Sequence, residues 1–113
     1  MVAVHQFCNI GRHAFIAGGS LVRKDIPPFV KAAREPLSYV GINSVGLRRR
    51  GFDIKKVHEI QNIYRILFQK KYNNTQAMEI IQGELNATPE RDEIIQFIEN
   101  SQRGIMKGYF QRN

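Results

Sequence analysis

Residues 4–27 read VHQFCN, IGRHAF, IAGGSL and VRKDIP when this part of the chain is divided into groups of six. Each group opens with a β-branched aliphatic residue: Val4, Ile10, Ile16 and Val22. The residue four places later is mostly small: Cys8, Ala14, Ser20 and then Ile26. A period of six matches neither an α-helix nor a two-faced strand. It predicts a triangular coil in which each group forms one side, with the aliphatic residue pointing inward and the small residue at the corner.

Such a coil needs three groups of six for each turn, so residues 1–28 hold little more than one turn. We therefore expect the chain to begin within a repeat and to be the end of a longer protein. Pro27 and Pro28 are predicted to stop the repeat, because neither can donate a hydrogen bond to a ladder. Residues 29–42 show no clean period and are predicted to form an extended connector that packs against the repeat, with a short strand at 38–42.

Helical signals fill residues 43–113. Asn43 and Ser44 can cap a short helix that Gly51 closes, and Asp53 can cap the longest one. Thr88 followed by Pro89 is a strong start signal for the last helix. The predicted helices cover about 43–50, 53–69, 75–85 and 88–103, and an apolar tail from residue 104 onward is predicted to dock. The fold class is thus an α+β fragment, the last coil of a parallel β-helix followed by a mostly α-helical domain.

The charge and cysteine content restrict the partners that the chain can have. The net charge is +7 over 113 residues, with cationic runs at 48–50, 55–56 and 70–71. This charge suits either a solvated surface or an anionic ligand. No stretch approaches 18 apolar residues, so no membrane span is expected. The single cysteine, Cys8, excludes an internal disulfide and is predicted to be buried and inert, which favours a cytoplasmic location. No metal-site spacing is present, and we expect neither a metal nor a cofactor.

Several segments together resemble one family of hexapeptide-repeat enzymes. They are VHQF (4–7), IG (10–11), GGS (18–20), PPFV (27–30), GIN (41–43) and GLRRRGF (46–52). These resemble the C-terminal part of acyl-[acyl-carrier-protein]–UDP-N-acetylglucosamine O-acyltransferases. The resemblance implies a left-handed β-helix, a helical C-terminal domain and a homotrimer. It also implies transfer of a 3-hydroxyacyl chain from acyl carrier protein to the 3-hydroxyl of UDP-N-acetylglucosamine, the first step of lipid A biosynthesis.

The same resemblance implies roles for particular residues. His5 and Gln6 match a pair near the sugar, with Gln6 touching glucosamine and His5 supporting the site. Asn43, Arg49 and Arg50 match residues that meet the nucleotide. Gly18 matches the position that sets acyl-chain length, although a turn glycine is the alternative. Val45 stands where some members carry glutamate. The general base is a histidine upstream of this chain, so the chain alone is expected to be inactive.

Two other classes of function are open at this stage. A basic helical module could bind nucleic acid through residues 48–50. However, Phe52, Tyr64 and Phe68 fall on a core-like stripe rather than between basic residues, as a stacking platform would need. No nucleic-acid-binding motif is present, and we expect no nucleic-acid partner. The third possibility is a non-catalytic trimerisation domain of a hexapeptide-repeat protein.

Overall fold

The computed structural model describes residues 1–68, 72–102 and 104–108. The strands are β1 (Ala3–Val4), β2 (Phe15–Ile16), β3 (Leu21–Val22), β4 (Val30–Ala33) and β5 (Ser38–Ile42). The helices are α1 (Ser44–Arg49), α2 (Ile54–Leu67), α3 (Asn74–Glu84) and α4 (Pro89–Glu99). All four predicted helices are therefore present. The ends predicted at Gln69 and Arg103, the cationic pair Lys70 and Lys71, and the tail residues Tyr109 to Asn113 lie outside the described residues.

The first part of the chain is a coil of short parallel strands. Strand β1 pairs with β3 in a register that sets Ala3 against Leu21 and Val4 against Val22, so one turn takes three groups of six. Val22 is fully buried, as predicted for an inward position. Val4 and Ile10 keep 45% and 43% of their surface exposed, because they belong to the outermost layer of the coil.

The six-residue register does not continue beyond Val22. Ile26 pairs with Ile10 and is fully buried, so it takes the inward position that the period assigns to residue 28. Its prediction as a corner residue was wrong, because the chain reaches the next inward position two residues early. A β-branched side chain packs well at such a position.

The two prolines do not stop the pairing, contrary to the prediction. Both are buried, and their neighbours supply the ladder hydrogen bonds. Gly11 N donates to Ile26 O (2.6 Å), and Phe29 N donates to Arg12 O (2.9 Å). Gly11 allows this close approach, because an added Cβ would lie 2.6 Å from Pro28 Cα.

Residues 30–42 form a hairpin that extends the coil. Strand β4 pairs in parallel with β2 and antiparallel with β5, which is the strand predicted at 38–42. The sheet order is therefore β2-β4-β5. The predicted connector thus contributes two strands, and β5 leads directly into α1.

Capping side chains start the helices and one apolar face joins them to the coil. Asp53 Oδ1 accepts from Lys56 N (2.8 Å) at α2, and Thr88 Oγ1 accepts from Arg91 N (3.1 Å) at α4. The buried face of α2 contains Val57, Ile60, Ile63, Tyr64 and Leu67. Tyr64 OH donates to Pro28 O (2.5 Å), which fixes α2 against the end of the coil. None of the described helices is long and apolar enough to cross a membrane.

Asp25 joins the coil to the C-terminal end of the described chain. It is the buried carboxylate of the core, 1% exposed, and it accepts from Asn9 N (2.8 Å) and from Ser101 Oγ (2.5 Å). Its backbone N donates to Gly104 O (2.9 Å), and its O accepts from Met106 N (3.1 Å). Docking of the tail is therefore confirmed for residues 104–108.

Cys8 is less buried than the sequence predicted. Its side chain is half-buried, and Sγ lies 3.9 Å from Val22 O. The small residue occupies the coil's outer layer, where burial is incomplete.

Candidate functional site

A cavity of about 660 Å³ lies where the sheet β2-β4-β5 meets α1. Three residues that the resemblance implicates line it: Asn43, Arg49 and Arg50. Lys31 from β4 and Phe15 from β2 also line it, and neither was singled out from the sequence. None of its lining residues in the described part of the chain is acidic. The structure thus brings the predicted nucleotide residues together in a cationic cavity.

Asn43 fixes α1 against the coil with both ends of its amide. Nδ2 donates to His13 O (3.1 Å), and Oδ1 accepts from Gly46 N (3.3 Å) as the N-cap of the helix. Asn43 N also donates to Phe29 O (2.8 Å). Gly46 is required here, because an added Cβ would come within 2.9 Å of Asn43 Cγ. Asn43 therefore positions the arginines and keeps one amide hydrogen available for a ligand.

The two arginines end α1 with their side chains exposed. Arg50 Nη1 donates to Gly46 O (3.2 Å), which turns this guanidinium back along the helix. Arg49 has no hydrogen bond or ion pair within the described chain. The C-terminal end of a helix favours cations through its dipole, so both charges are held at low cost. A planar guanidinium can bind two phosphate oxygens at once.

His13 lies beside the cavity and responds to its charge. Its ring packs 6.2 Å from Phe29 and 5.9 Å from Phe52 between centroids. Burial lowers the pKa of His13 below its usual 6.5, and the nearby cations Arg50 and Arg12 lower it further. His13 is thus a built-in reporter of the electrostatic potential next to Arg50.

Replacing Arg50 with glutamine is expected to raise the pKa of His13 toward its ordinary value, because one of the cations that disfavour imidazolium is removed. The measurement is an NMR titration of the His13 ring. Arg48→Gln is the matched control, since it removes the same charge two residues away and Arg48 does not act on His13. Equal pKa changes in the two variants would contradict the assignment to Arg50.

The remaining predicted residues lie on the outer layer of the coil, away from this cavity. His5 and Gln6 are exposed, and His5 N donates to Val22 O (2.7 Å). Gly18 is also exposed. None of these three lines the cavity that holds Asn43 and the arginines. The chain therefore presents two separate groups of candidate residues.

The backbone conformation of Gly18 bears on the alternative that this residue is a turn glycine. The turn glycine is Gly19, whose φ is +81°, whereas Gly18 has no such φ. An added Cβ at Gly18 would meet only Met1 N, at 3.9 Å. Gly18 is therefore not needed for a left-handed turn, and the turn alternative applies to its neighbour.

The chain belongs to a known family of sugar-nucleotide acyltransferases. The family model for domain 2 of UDP N-acetylglucosamine O-acyltransferase matches residues 25–106. This range includes the cavity residues from Lys31 to Arg50 and all four helices.

Curated proteins and solved structures agree with this family. The chain is 42% identical over 107 residues to the acyl-[acyl-carrier-protein]–UDP-N-acetylglucosamine O-acyltransferase of Myxococcus xanthus, which covers 95% of this chain and 42% of that protein. The crystal structure of the UDP-N-acetylglucosamine acyltransferase from Bacteroides fragilis has a TM-score of 0.91 and 46% identity, covering 94% of this chain and 42% of the other. The Francisella novicida enzyme gives 0.87 and 37%, covering 94% and 39%. The chain thus spans about two fifths of the length of these relatives.

Proposed function

We propose that this chain is the C-terminal part of an O-acyltransferase that moves a 3-hydroxyacyl group from acyl carrier protein to the 3-hydroxyl of UDP-N-acetylglucosamine, in the first step of lipid A biosynthesis. The observation that carries the proposal is the cavity lined by Asn43, Arg49 and Arg50, which has no acidic residue among the described residues that line it. Its volume falls within the range of sites that bind small molecules. A sugar nucleotide carries its negative charge on the diphosphate. The cationic side chains of this cavity suit such a group.

In this proposal the chain binds substrates and does not supply the general base. Arg49 and Arg50 clamp the diphosphate, while Gln6 contacts glucosamine and His5 supports that contact. The base is the histidine that the resemblance assigns to a segment upstream. Val45, 64% exposed at the cavity, cannot accept the hydrogen bonds that a glutamate would accept there.

The finer features of the architecture belong to the same proposal. Residues 1–28 are the end of a left-handed hexapeptide-repeat β-helix, 29–42 the connecting segment and 43–113 the helical domain. The complete protein is a homotrimer in the cytoplasm. Support comes from the parallel register of three groups of six between β1 and β3 and from the match to the solved acyltransferases.

In the complete enzyme that contains this chain, Arg49→Ala is expected to weaken binding of UDP-N-acetylglucosamine by about 1.5–3 kcal/mol, the scale of a hydrogen bond to a charged group. That corresponds to roughly a 10- to 150-fold rise in Kd by titration calorimetry. Arg48→Ala is the matched control, because it removes an exposed arginine of the same helix that does not line the cavity. If Arg49→Ala binds as tightly as Arg48→Ala, the nucleotide assignment is wrong.

The same titration separates the other two classes of function. A nucleic-acid-binding module would bind single-stranded RNA in preference to the sugar nucleotide, and a trimerisation domain would bind neither. The rings argue against the first. Tyr39, Tyr64 and Phe68 stack on one another, with centroids 4.4 Å apart for Tyr39 and Phe68. These faces are therefore not available to stack on bases.

A further inference from the structure

The side chain of Lys31 enters the cationic cavity from the sheet. Burial alternates along β4, so that Val30 and Ala32 face the core and Lys31 faces outward. In register, Lys31 lies between Phe15 of β2 and Gly41 of β5. Gly41 has no side chain, and an added Cβ there would meet nothing within 4 Å. Open space therefore adjoins Lys31 on the side that leads into α1.

The ammonium of Lys31 has no protein partner in the described part of the chain. It is exposed and forms no hydrogen bond or ion pair with any residue that the structure describes. With Arg49 and Arg50 it gives the cavity three cations and no acidic lining residue among those described. Like charges around one cavity repel each other, and an anion that carries more than one charge relieves all three repulsions.

Hydrogen bonds fix the position of α1 relative to the sheet. Asn43, at the start of α1, donates to His13 O and Phe29 O. Gly41, the partner of Lys31 on β5, lies only two residues before Asn43. The two arginines are therefore presented from the helix and the lysine from the sheet. A flexible ammonium is suited to reach a phosphate oxygen that a rigid guanidinium fork does not cover.

We propose that Lys31 is a third cationic ligand of the diphosphate, reaching it from the sheet while Arg49 and Arg50 reach it from α1. This inference rests on the proposed function for the identity of the nucleotide. The binding of a diphosphate group by the three cations does not depend on it. It makes Lys31 a binding residue rather than part of a solvated surface.

The test is titration calorimetry on the complete protein with three ligands: inorganic pyrophosphate, UDP-N-acetylglucosamine and uridine. Lys31→Ala is expected to raise the Kd of both phosphate-bearing ligands three- to tenfold and to leave any uridine binding unchanged. Lys31→Arg, which keeps the charge, should stay within about twofold of the wild type. Lys107→Ala is the matched control, because Lys107 is also exposed and its hydrogen bond with a described residue is made by its backbone oxygen, which accepts from Tyr39 N.

The outcomes distinguish this inference from the proposed function. If Lys31→Ala binds pyrophosphate as Lys107→Ala does, the inference is overturned even when Arg49→Ala weakens the nucleotide. If wild type binds neither phosphate ligand, it is overturned as well. If pyrophosphate binds in a Lys31-dependent way but UDP-N-acetylglucosamine does not bind, the diphosphate site stands and the proposed function fails. Thermal unfolding of each variant, which is expected to be unchanged at this exposed position, shows that a lost affinity is not a lost fold.

Discussion

Asp25→Ala is expected to lower the free energy of unfolding by about 3–4 kcal/mol, the combined scale of two lost hydrogen bonds to a charged group and of buried donors left without partners. Asp25 is 1% exposed, so water does not replace the missing acceptor. The variant leaves Asn9 N and Ser101 Oγ facing a space that no longer holds an acceptor. Because Asn9 and Ser101 lie far apart in sequence, the loss loosens the joint between the coil and the end of α4.

The measurement is urea unfolding of the variant beside the wild type. Asp92→Ala is the matched control, because Asp92 keeps 62% of its side chain exposed and, among the described residues, its carboxylate pairs with its neighbour Arg91. An ion pair whose carboxylate is this exposed is worth less than about 1 kcal/mol. Ser101→Ala should fall between the two variants, since it removes one of the two bonds. A loss at Asp25 no larger than the loss at Asp92 would show that the buried carboxylate does not hold the joint.

Local patterns were sufficient to predict most of the elements. The capping residues Asp53 and Thr88 start helices where the sequence predicted them, because a cap acts on the backbone three residues away. The period of six likewise predicted a coil with three groups of six in each turn, and Val4 pairs in parallel with Val22, three groups later. These features depend on neighbours in the chain and can be read from it.

Features that depend on distant partners could not be predicted in this way. Asp25 is buried against Ser101, which lies 76 residues away in the chain and follows α4. The two prolines predicted an end to the strand pairing because they have no N–H to donate. The donors are instead Gly11, on the paired segment, and Phe29, directly after the prolines. For the same reason Ile26 was placed at a corner, although its partner Ile10 makes it an inward residue.

The candidate site also combines residues that are close in sequence with a residue that is distant in sequence. The resemblance identifies Asn43, Arg49 and Arg50 through two neighbouring segments of the sequence, and all three line one cavity. Lys31 comes from a separate strand and joins them only through the pairing of β4 with β5. The alternation of Val30, Lys31 and Ala32 could have indicated that the lysine faces outward, but not which cavity it faces.

Gly18→Met in the complete enzyme is expected to change donor preference toward shorter 3-hydroxyacyl chains, if Gly18 lies at the far end of the acyl groove as the resemblance implies. Each methylene that can no longer be buried costs about 0.8 kcal/mol. Blocking four methylenes should therefore change the ratio of kcat/KM between a short and a long donor by roughly 200-fold. A long side chain at this position would fill space that the glycine leaves open.

The structure makes this prediction sharper than the sequence could. Gly18 has no positive φ, so Gly18→Met does not force a side chain into a left-handed turn, and we expect its melting temperature to stay close to that of the wild type. Gly19→Met is the matched control, because its φ of +81° strains any other residue by about 1–3 kcal/mol. We expect Gly19→Met to have a lower melting temperature and to lose activity equally for all donors. The measurements are the rates for a series of donors and a melting curve for each variant. A uniform loss of rate in Gly18→Met, with the donor preference of the wild type retained, would show that Gly18 does not set the acyl-chain length.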